Sequence, residues 1–264
     1  MARVLVTGCS SGIGRAAALE FTRRGHEVVA TARTLEPLAD LDVAERRQLD
    51  VTSDDDVAAL VESLEPVDVV VNNAGSGLHG PLEVVPMSAI QGIYDVNVFG
   101  TLRITKALLP SLRARGDGTI YYVSSPAARA TRPLTGIYGS SKAAVELMFE
   151  SLAFELEDTA ARVIIVSPGA VASNFPENRA TYSSDLEPYR TLNDMWVKLR
   201  TASHSSRVST PEEVATAIVD LFETETRPFS RHTVGSEAAV LLEQRSELDD
   251  DAYRQRVWQK LREG

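Results

Sequence analysis

Short apolar runs rich in β-branched residues recur through the first two thirds of the chain. They lie at 3–7 (RVLVT), 27–31 (EVVAT), 67–72 (VDVVVN), 118–125 (GTIYYVSS) and 162–168 (RVIIVSP). Each run is continuously apolar and does not alternate with polar residues, which is typical of strands covered on both faces of a parallel sheet. The pattern therefore predicts a buried parallel sheet.

Segments of helical length separate these runs. Residues 14–25 end on a glycine, a typical C-terminal cap, and residues 53–64 begin at Ser53, an N-cap followed by three aspartates at the positive helix end. Two longer helices are predicted over 87–116 and 138–158. Strand–helix–strand repetition of this kind predicts an α/β fold, a doubly wound parallel sheet in three α/β/α layers.

The pattern changes after residue 173. Residues 174–196 are polar with scattered aromatics and no clear period, whereas 210–223 restores a helix that begins with a capping box. The tail from 227 offers one short strand, RHTVG, and polar helices. We predict a single domain over 1–264, in which an irregular segment of about 174–208 is the candidate substrate lid and about 227–264 is a C-terminal tail.

Composition narrows the function classes. The 264 residues carry a net charge of −10, which argues against nucleic-acid binding because that needs a concentrated basic face. The single cysteine allows no intramolecular disulfide, and His79 and His204 lack partners at metal-ligand spacing, so no metal site is predicted. The first apolar run is too short for a signal peptide or a membrane span, and we expect a cytoplasmic protein.

Candidate chemistry begins at residues 7–14, TGCSSGIG, between the first strand and the first helix. Such a turn lets backbone N–H groups approach a pyrophosphate at the helix N-terminus. Glycines also occur in tight turns for steric reasons alone, but the position at the head of a βαβ unit favours a dinucleotide. The spacing is G-x-x-x-G-x-G, which differs from the general G-x-G-x-x-G fingerprint.

This turn and the later motifs together resemble the short-chain dehydrogenase/reductase family, over nearly all of residues 1–240. The likeness is greatest to the hydroxysteroid and retinol dehydrogenase branch, through TGCSSGIG, VVATART and RHTVGSEAAVLL. It implies an NAD(P)-dependent Rossmann oxidoreductase. The later motifs are NNAG at 72–75, Asn97 in DVNVFG, Ser125 thirteen residues before Tyr138, Tyr138 and Lys142 as Y-x-x-x-K, and SPGAVAS at 167–173.

The resemblance implies a catalytic tetrad of Asn97, Ser125, Tyr138 and Lys142. A tyrosine has an ordinary pKa of about 10 and needs roughly 4 kcal/mol of phenolate stabilisation to act near neutrality; a lysine one helical turn away can contribute this. Tyr138 is then the general acid in reduction and the base in oxidation, and Lys142 also holds the nicotinamide ribose. Ser125 donates to the substrate oxygen, and Asn97 connects a proton relay through a helix irregularity and water. Ser124 is the alternative candidate for the role of Ser125. The alternative for Tyr138 and Lys142 is a solvated pair on the helix surface, because isolated Tyr–Lys pairs are common there.

The end of the second strand predicts which nicotinamide cofactor binds. NAD-binding folds usually place an acid there, but this chain has Ala32 and then Arg33. A guanidinium pairs with a 2′-phosphate, so we predict NADP in preference to NAD, unless Arg33 is only a solvated loop charge. The resemblance implies that Asp50 accepts a hydrogen bond from the adenine amino group and that Val51 lies beneath the adenine ring; the alternative is that Asp50 starts the next turn. The predicted cofactor-binding residues are Gly8, Ser10, Ser11, Gly12, Ile13, Gly14, Arg33, Asp50, Val51, Asn73, Ala74, Gly75, Tyr138, Lys142, Pro168, Gly169, Val171 and Ser173.

The substrate is predicted from the residues expected around the tyrosine, which are mostly apolar and suit a hydrophobic ketone, aldehyde or alcohol. The lid aromatics among them equally suit packing. An epimerase or dehydratase and a non-catalytic NADP-sensing regulator are the alternative functions, and a homodimer or homotetramer through 87–116 and 138–158 is expected from the resemblance. The predicted substrate-contacting residues are Leu78, His79, Ser124, Pro126, Leu134, Phe175, Tyr182, Tyr189 and Trp196.

Overall fold

The computed structural model describes residues 1–175, 179–203 and 208–263. Seven parallel strands of this part of the chain form one sheet. Two strands of two residues each pair separately. In chain order the strands are β1 (Arg3–Val6), β2 (Glu27–Ala32), β3 (Glu45–Gln48), β4 (Val69–Asn72), β5 (Leu78–His79), β6 (Thr119–Val123), β7 (Arg162–Pro168), β8 (Ala180–Thr181) and β9 (Phe229–Val234).

The strand order is β3-β2-β1-β4-β6-β7-β9, with every neighbouring pair parallel. The chain builds outward in one direction from β1 and then in the other from β4, so the order reverses between these two strands. Ligands of doubly wound sheets bind beyond the carboxyl ends of the strands at such a reversal. The predicted doubly wound parallel sheet is confirmed, and its switch point indicates where to look for the site.

Helices cover both faces of this sheet. In chain order they are α1 (Gly12–Arg23), α2 (Asp54–Ser63), α3 (Met87–Tyr94), α4 (Thr101–Arg115), α5 (Gly136–Glu155), α6 (Tyr189–Ser203), α7 (Pro211–Thr224), α8 (Ser236–Glu247) and α9 (Asp250–Glu263).

Two hydrophobic cores lie on opposite faces of the sheet. Phe21 of α1 and Ile218 of α7 belong to the core that contains Val4. Leu5, the next residue along β1, belongs to the other core, together with residues of α2, α4 and α5. Because successive side chains of a strand point to opposite faces, both of which are buried here, the strands are apolar at consecutive positions. In the described ranges, no helix is long and apolar enough to cross a bilayer.

The predicted helix caps are present. Ser53 accepts a 3.1 Å hydrogen bond from the Asp56 N–H at the start of α2. Gly25 follows α1 with φ +84, the left-handed conformation that glycine adopts at little cost. Thr210 and Glu213 form the reciprocal capping box of α7. These short-range signals therefore fixed the helix boundaries to within about two residues.

Three elements differ from the prediction. The helix expected over 87–116 is divided by a π-helical turn at Asp95–Gly100. The polar strand β3 was missed, because an edge strand needs no apolar run and is often charged. Helix α6 lies in the segment expected to be irregular, where its apolar residues Leu192, Met195 and Trp196 form a stripe only about one turn long.

Candidate active site

An open cleft of about 810 Å³ lies at the carboxyl ends of the strands, across the switch point. The loops after β1, β2, β3, β4, β6 and β7 contribute to it, as do the first two turns of α5 and of α8. Almost all of the predicted site residues therefore meet in one cleft. Those that line it are Gly8, Ser10, Ser11, Gly12, Ile13, Arg33, Asp50, Val51, Asn73, Ala74, Gly75, Ser125, Tyr138, Lys142, Pro168, Gly169, Val171 and Ser173.

The glycine turn after β1 fits a pyrophosphate. Gly8 has φ +75 and Gly12 has φ +57, so both need the left-handed region that other residues enter only with strain. Ser11 is the N-cap of α1 but makes no side-chain capping bond, and the first turn of α1 contains no acid. The helix N-terminus, with its positive dipole end, is thus available to an anion in the cleft.

Gly14 does not line the cleft, although it was predicted to contact the cofactor. A Cβ atom at Gly14 would lie 2.4 Å from both the Gly8 carbonyl oxygen and Asn73 Nδ2. That glycine therefore permits α1 to pack closely against the loops after β1 and β4. Its place in the motif follows from helix packing and not from contact with a ligand.

The adenosine end of the cleft contains Arg33 and Asp50. Arg33 is exposed just beyond β2, and the structure, over the ranges it describes, gives it no carboxylate within 4 Å. Asp50 Oδ1 accepts hydrogen bonds from the Thr52 N–H, at 2.9 Å, and from its hydroxyl, at 2.7 Å. These bonds, with a smaller effect of Arg33, hold the Asp50 pKa below its ordinary value. One oxygen of Asp50 thus closes a turn while the residue still lines the cleft.

Tyr138 and Lys142 lie one turn apart on α5, at the other end of the cleft. Lys142 Nζ donates a 2.9 Å hydrogen bond to the Val123 carbonyl and lies 5.0 Å from the ring centroid of Tyr122. The Ser125 hydroxyl is hydrogen-bonded with Tyr138. The end of β6 therefore supports both members of the pair, one through its backbone and one through a side chain.

Burial dominates the electrostatics of the pair. It raises the pKa of Tyr138, and the hydrogen bond from Ser125 offsets this only in part. It lowers the pKa of Lys142 to about 8, against the opposing effect of the Glu146 carboxylate. The sequence predicts that Lys142 lowers the pKa of Tyr138. The net shift of Tyr138 is in the opposite direction, so that Tyr138 holds its proton while Lys142 can exchange one near neutral pH.

Asn97 lies in the π-helical turn and is fully buried, so it does not line the cleft. Its side chain bonds both the N–H and the carbonyl of Ser76, at 2.8 and 3.0 Å. Its Nδ2 also donates to Ser141 Oγ at 3.0 Å, and Ser141 donates to the Tyr138 carbonyl. Asn97 thereby joins the loop after β4 to α5, through the kind of helix irregularity that the resemblance implied.

The substrate end differs from the prediction. Of the residues expected to reach the substrate, Ser124, Pro126 and Phe175 line the cleft, and the Phe175 ring lies 6.1 Å from that of Tyr138. The expected contacts that the cleft lining does not include are Leu78, His79, Leu134, Tyr182, Tyr189 and Trp196.

Packing accounts for several of these misplaced contacts. The buried His79 of β5 stacks on Trp196 of α6 at 5.4 Å, and Arg132 lies over the same indole, also at 5.4 Å from its centroid. Trp196 thus anchors α6 to the body of the protein. His204 lies outside the described residues.

Several residues of the cleft are not predicted from the sequence, and four of them form one wall. Arg132 comes from the loop before α5, and its Nη1 lies 4.0 Å from Glu237 Oε1. Ala238 and Leu241 of α8 complete this wall. No local motif marks α8 as a binding element, because only the pairing of β9 with β7 brings the tail beside the cleft. The wall therefore combines apolar surface with one ion-pairing arginine and glutamate.

The doubly wound sheet and its glycine-lined cleft define the Rossmann class of nucleotide-binding enzymes. Residues 2–182 match the family model described as short chain dehydrogenase, and the chain belongs to that family.

Relatives place the chain in the retinol and hydroxysteroid dehydrogenase-like branch. Human retinol dehydrogenase 8 is 34% identical over 250 residues, which cover 87% of this chain and 80% of that protein. Human 17-beta-hydroxysteroid dehydrogenase type 1 is 34% identical over 233 residues, covering 80% and 71%. A solved short-chain dehydrogenase from Streptomyces avermitilis has a TM-score of 0.81 at 33% identity and covers 94% of each chain.

Solved structures similar to this chain carry different nicotinamide cofactors. A closed serine dehydrogenase complexed with NADP⁺ has a TM-score of 0.76 at 27% identity, covering 88% of this chain and 94% of that one. A 3-ketoacyl-(acyl-carrier-protein) reductase from Brucella melitensis complexed with NADH has a TM-score of 0.75 at 25% identity, covering 90% and 98%. The family therefore indicates an NAD(P) enzyme, and the choice between the two cofactors rests on this chain's own residues.

Proposed function

We propose that this protein is an NADP(H)-dependent oxidoreductase that interconverts a ketone or aldehyde with an alcohol on an apolar substrate. One observation carries the proposal. The Tyr138–Lys142 pair, with Ser125 bonded to the tyrosine, shares a single cleft with a glycine turn that fits a dinucleotide pyrophosphate. A reactive group for proton transfer and a cradle for a hydride-carrying cofactor thus face the same space.

When bound, the nicotinamide supplies or accepts the hydride. The protein supplies the proton and the geometry. Tyr138, whose pKa is raised by burial, holds the proton that passes to the substrate oxygen in reduction. Ser125 donates a hydrogen bond to the same oxygen and stabilises its developing charge. Lys142 lines the cleft and would hold the nicotinamide ribose through its ammonium group. Asn97 bonds Ser76 in the loop after β4 and Ser141 on α5, and so fixes the loop against the helix that carries Lys142.

The NADP preference is supported at the end of β2. The strand ends at Ala32, so no carboxylate stands where it would repel a 2′-phosphate, and the exposed Arg33 guanidinium lines the cleft beside it. Ser10 and Ser11 line the same end, and the Ser11 hydroxyl is not used as a cap. A guanidinium and two hydroxyls suit a phosphate better than a pair of ribose hydroxyls.

The substrate class is supported by the wall around Tyr138. Pro126, Phe175, Ala238 and Leu241 offer apolar surface to the carbon skeleton of a small carbonyl compound or alcohol. The described part of the predicted lid contributes Phe175 to the cleft lining, and Trp196 packs its helix α6 against His79. Location in the cytoplasm stays a prediction of the sequence.

A homo-oligomer, dimer or tetramer, completes the proposal. Leu147 and Phe154 of α5 are 69% and 76% exposed, and their separation of seven residues places them on one face of the helix. Phe99, in the π-helical turn, is 51% exposed. A second copy of this chain is the partner that would cover these side chains.

The test is incubation of the purified protein with NADPH and a panel of apolar ketones and aldehydes, followed at 340 nm. We expect loss of absorbance with at least one apolar carbonyl compound. Tight NADPH binding with no turnover of any compound would instead support the NADP-sensing regulator. Conversion of a substrate without net loss of NADPH would support the epimerase or dehydratase.

A further inference from the structure

Glu146 is a buried carboxylate on the catalytic helix that the proposed chemistry does not use. It is 3% exposed and follows Lys142 by four residues, as Lys142 follows Tyr138. The three side chains therefore form a ladder along one face of α5, with a rise of about 6 Å per step. A buried charge of this kind persists only where partners compensate it.

The partners of Glu146 come from several elements. Ser124, just after β6, donates a 2.6 Å hydrogen bond to Oε1. Oε2 faces Arg129 Nε at 3.7 Å and Arg231 Nε, from β9, at 3.5 Å. Lys142 interacts with the same carboxylate through space. Glu146 thus joins the end of β6, the loop that follows it, the β9 strand and the catalytic helix.

We propose that Glu146 is a positioning residue for the Tyr138–Lys142 pair: its carboxylate balances the charge of the buried Lys142 ammonium and fixes the end of β6 beside it. Lys142 and Ser125 both depend on that end of β6, the first through the Val123 carbonyl and the second as the residue next to Ser124. That this positioning affects turnover rests on the proposed function. That the Glu146 carboxylate stabilises the Lys142 ammonium does not depend on it.

The order of the three side chains along α5 places the Glu146 carboxylate nearer to Lys142 than to Tyr138. The titratable groups around Lys142 are Glu146 and Tyr138 on its own helix and Tyr122 on β6, whose ring it contacts. Glu146 lies one turn from Lys142 but two turns, about 12 Å, from Tyr138. Because Coulomb interactions weaken with distance, the carboxylate acts more on the ammonium than on the phenol. It can therefore stabilise the lysine cation without strongly opposing a tyrosine anion.

The chain offers a matched control in Glu150, one turn further along α5. Its Oε2 pairs with the same arginine, Arg231, at 2.8 Å, but it is the next step of the helix away from Lys142. Glu146→Gln removes the charge and keeps an oxygen for Ser124. Glu146→Asp keeps the carboxylate charge. Glu150→Gln removes a carboxylate charge that pairs with Arg231 and lies farther from Lys142.

The experiment is an NMR titration of protein labelled with ¹³C at the lysine ε-carbons. The chain has only four lysines, and the signal of Lys142 is identified by its loss in Lys142→Arg. We expect Lys142 to titrate near pH 8 in the wild type and roughly one pH unit lower in Glu146→Gln. Glu146→Asp and Glu150→Gln should titrate as the wild type does.

An unchanged titration in Glu146→Gln, or an equal shift in Glu150→Gln, would overturn the inference. The titration needs no turnover, so it remains decisive even if no carbonyl compound is reduced and the proposed function fails. Where turnover is found, the alkaline limb of kcat/KM at saturating NADPH should move with the titration in Glu146→Gln. If Glu146→Gln lowers the melting temperature but leaves the alkaline limb of kcat/KM at the same pH, Glu146 stabilises the fold and does not position the pair.

Discussion

Ser124 donates a 2.6 Å hydrogen bond to the buried carboxylate of Glu146, whereas the hydroxyl of the next residue, Ser125, bonds with Tyr138. Both serines line the cleft, but successive residues in extended backbone point in opposite directions, so their hydroxyls reach different partners. The two adjacent serines, which the sequence alone leaves as alternatives, thus have separate partners.

This arrangement predicts different effects of two alanine substitutions. Ser125→Ala removes the proposed donor to the substrate oxygen and should lower kcat by about 100-fold. It also removes the 3.2 Å hydrogen bond that Ser125 Oγ accepts from the Ala127 N–H, which should cost about 1 kcal/mol of stability at most. Ser124→Ala leaves Glu146 short of a buried hydrogen bond and should cost about 1–3 kcal/mol of stability, with a smaller loss of kcat. Steady-state kinetics and thermal unfolding of both variants provide the measurement, and an exchange of the two results would refute the assignment.

The sequence reached much of this site because its motifs are local. The glycine turn, Ser125 and the Tyr138–Lys142 pair each follow a strand or occupy one helix face, so spacing along the chain predicts their placement. Glu237 and Leu241 were missed because they reach the cleft only through the pairing of β9 with β7. That contact is set by tertiary structure and leaves no local pattern in the sequence.

Some residues in and near the predicted lid were expected to line the cleft and do not. Trp196 and His79 were expected to contact substrate, but they stack on each other away from the cleft lining. An aromatic side chain in a polar segment gives the same sequence signal whether it packs or binds a ligand. Glu146 is a further case, since a glutamate on a helix is usually exposed and only the fold surrounds it with Ser124, Arg129 and Arg231.

The reduction reaction should lose activity as pH rises through about 8. Burial lowers the Lys142 pKa to about 8, so below that pH the lysine is cationic, and above it the charge is lost. Tyr138, with a raised pKa, still holds its proton in this range. The pH profile of kcat/KM at saturating NADPH should therefore show an alkaline limb near pH 8.

Lys142→Arg provides the control for this limb, because a guanidinium keeps its charge well above pH 10. Whatever the absolute rate of Lys142→Arg, the alkaline limb of its kcat/KM profile should lie at higher pH than in the wild type. A limb that stays near pH 8 would mean that another group causes it.

Arg33→Ala should weaken NADPH binding far more than NADH binding. The substitution removes the proposed charge-assisted hydrogen bond to the 2′-phosphate, worth about 1.5–3 kcal/mol, or roughly 10- to 150-fold in Kd. NADH has no such phosphate and should bind nearly as before. Dissociation constants for both cofactors, measured by titration of the reduced nicotinamide fluorescence, test this. Equal weakening of both would contradict the 2′-phosphate assignment.

The proposed self-association should depend on the exposed face of α5. Leu147→Glu places a charge among the apolar side chains that a second copy would cover, and we expect sedimentation velocity to show a smaller species than the wild type. Leu82 is a matched control, since it is 76% exposed in a loop outside the helices. Leu82→Glu should sediment as the wild type does, and equal behaviour of the two variants would place the interface elsewhere.

In the proposed function, Tyr138 transfers the proton in a cofactor-dependent reduction. Tyr138→Phe removes one hydroxyl and keeps the ring that packs beside Phe175, so the cofactor cradle is preserved. The most direct measurement is a parallel determination of NADPH affinity and carbonyl turnover in the wild type and in Tyr138→Phe. We expect unchanged NADPH binding and a loss of turnover of at least about 100-fold; turnover that persists in Tyr138→Phe would contradict the account.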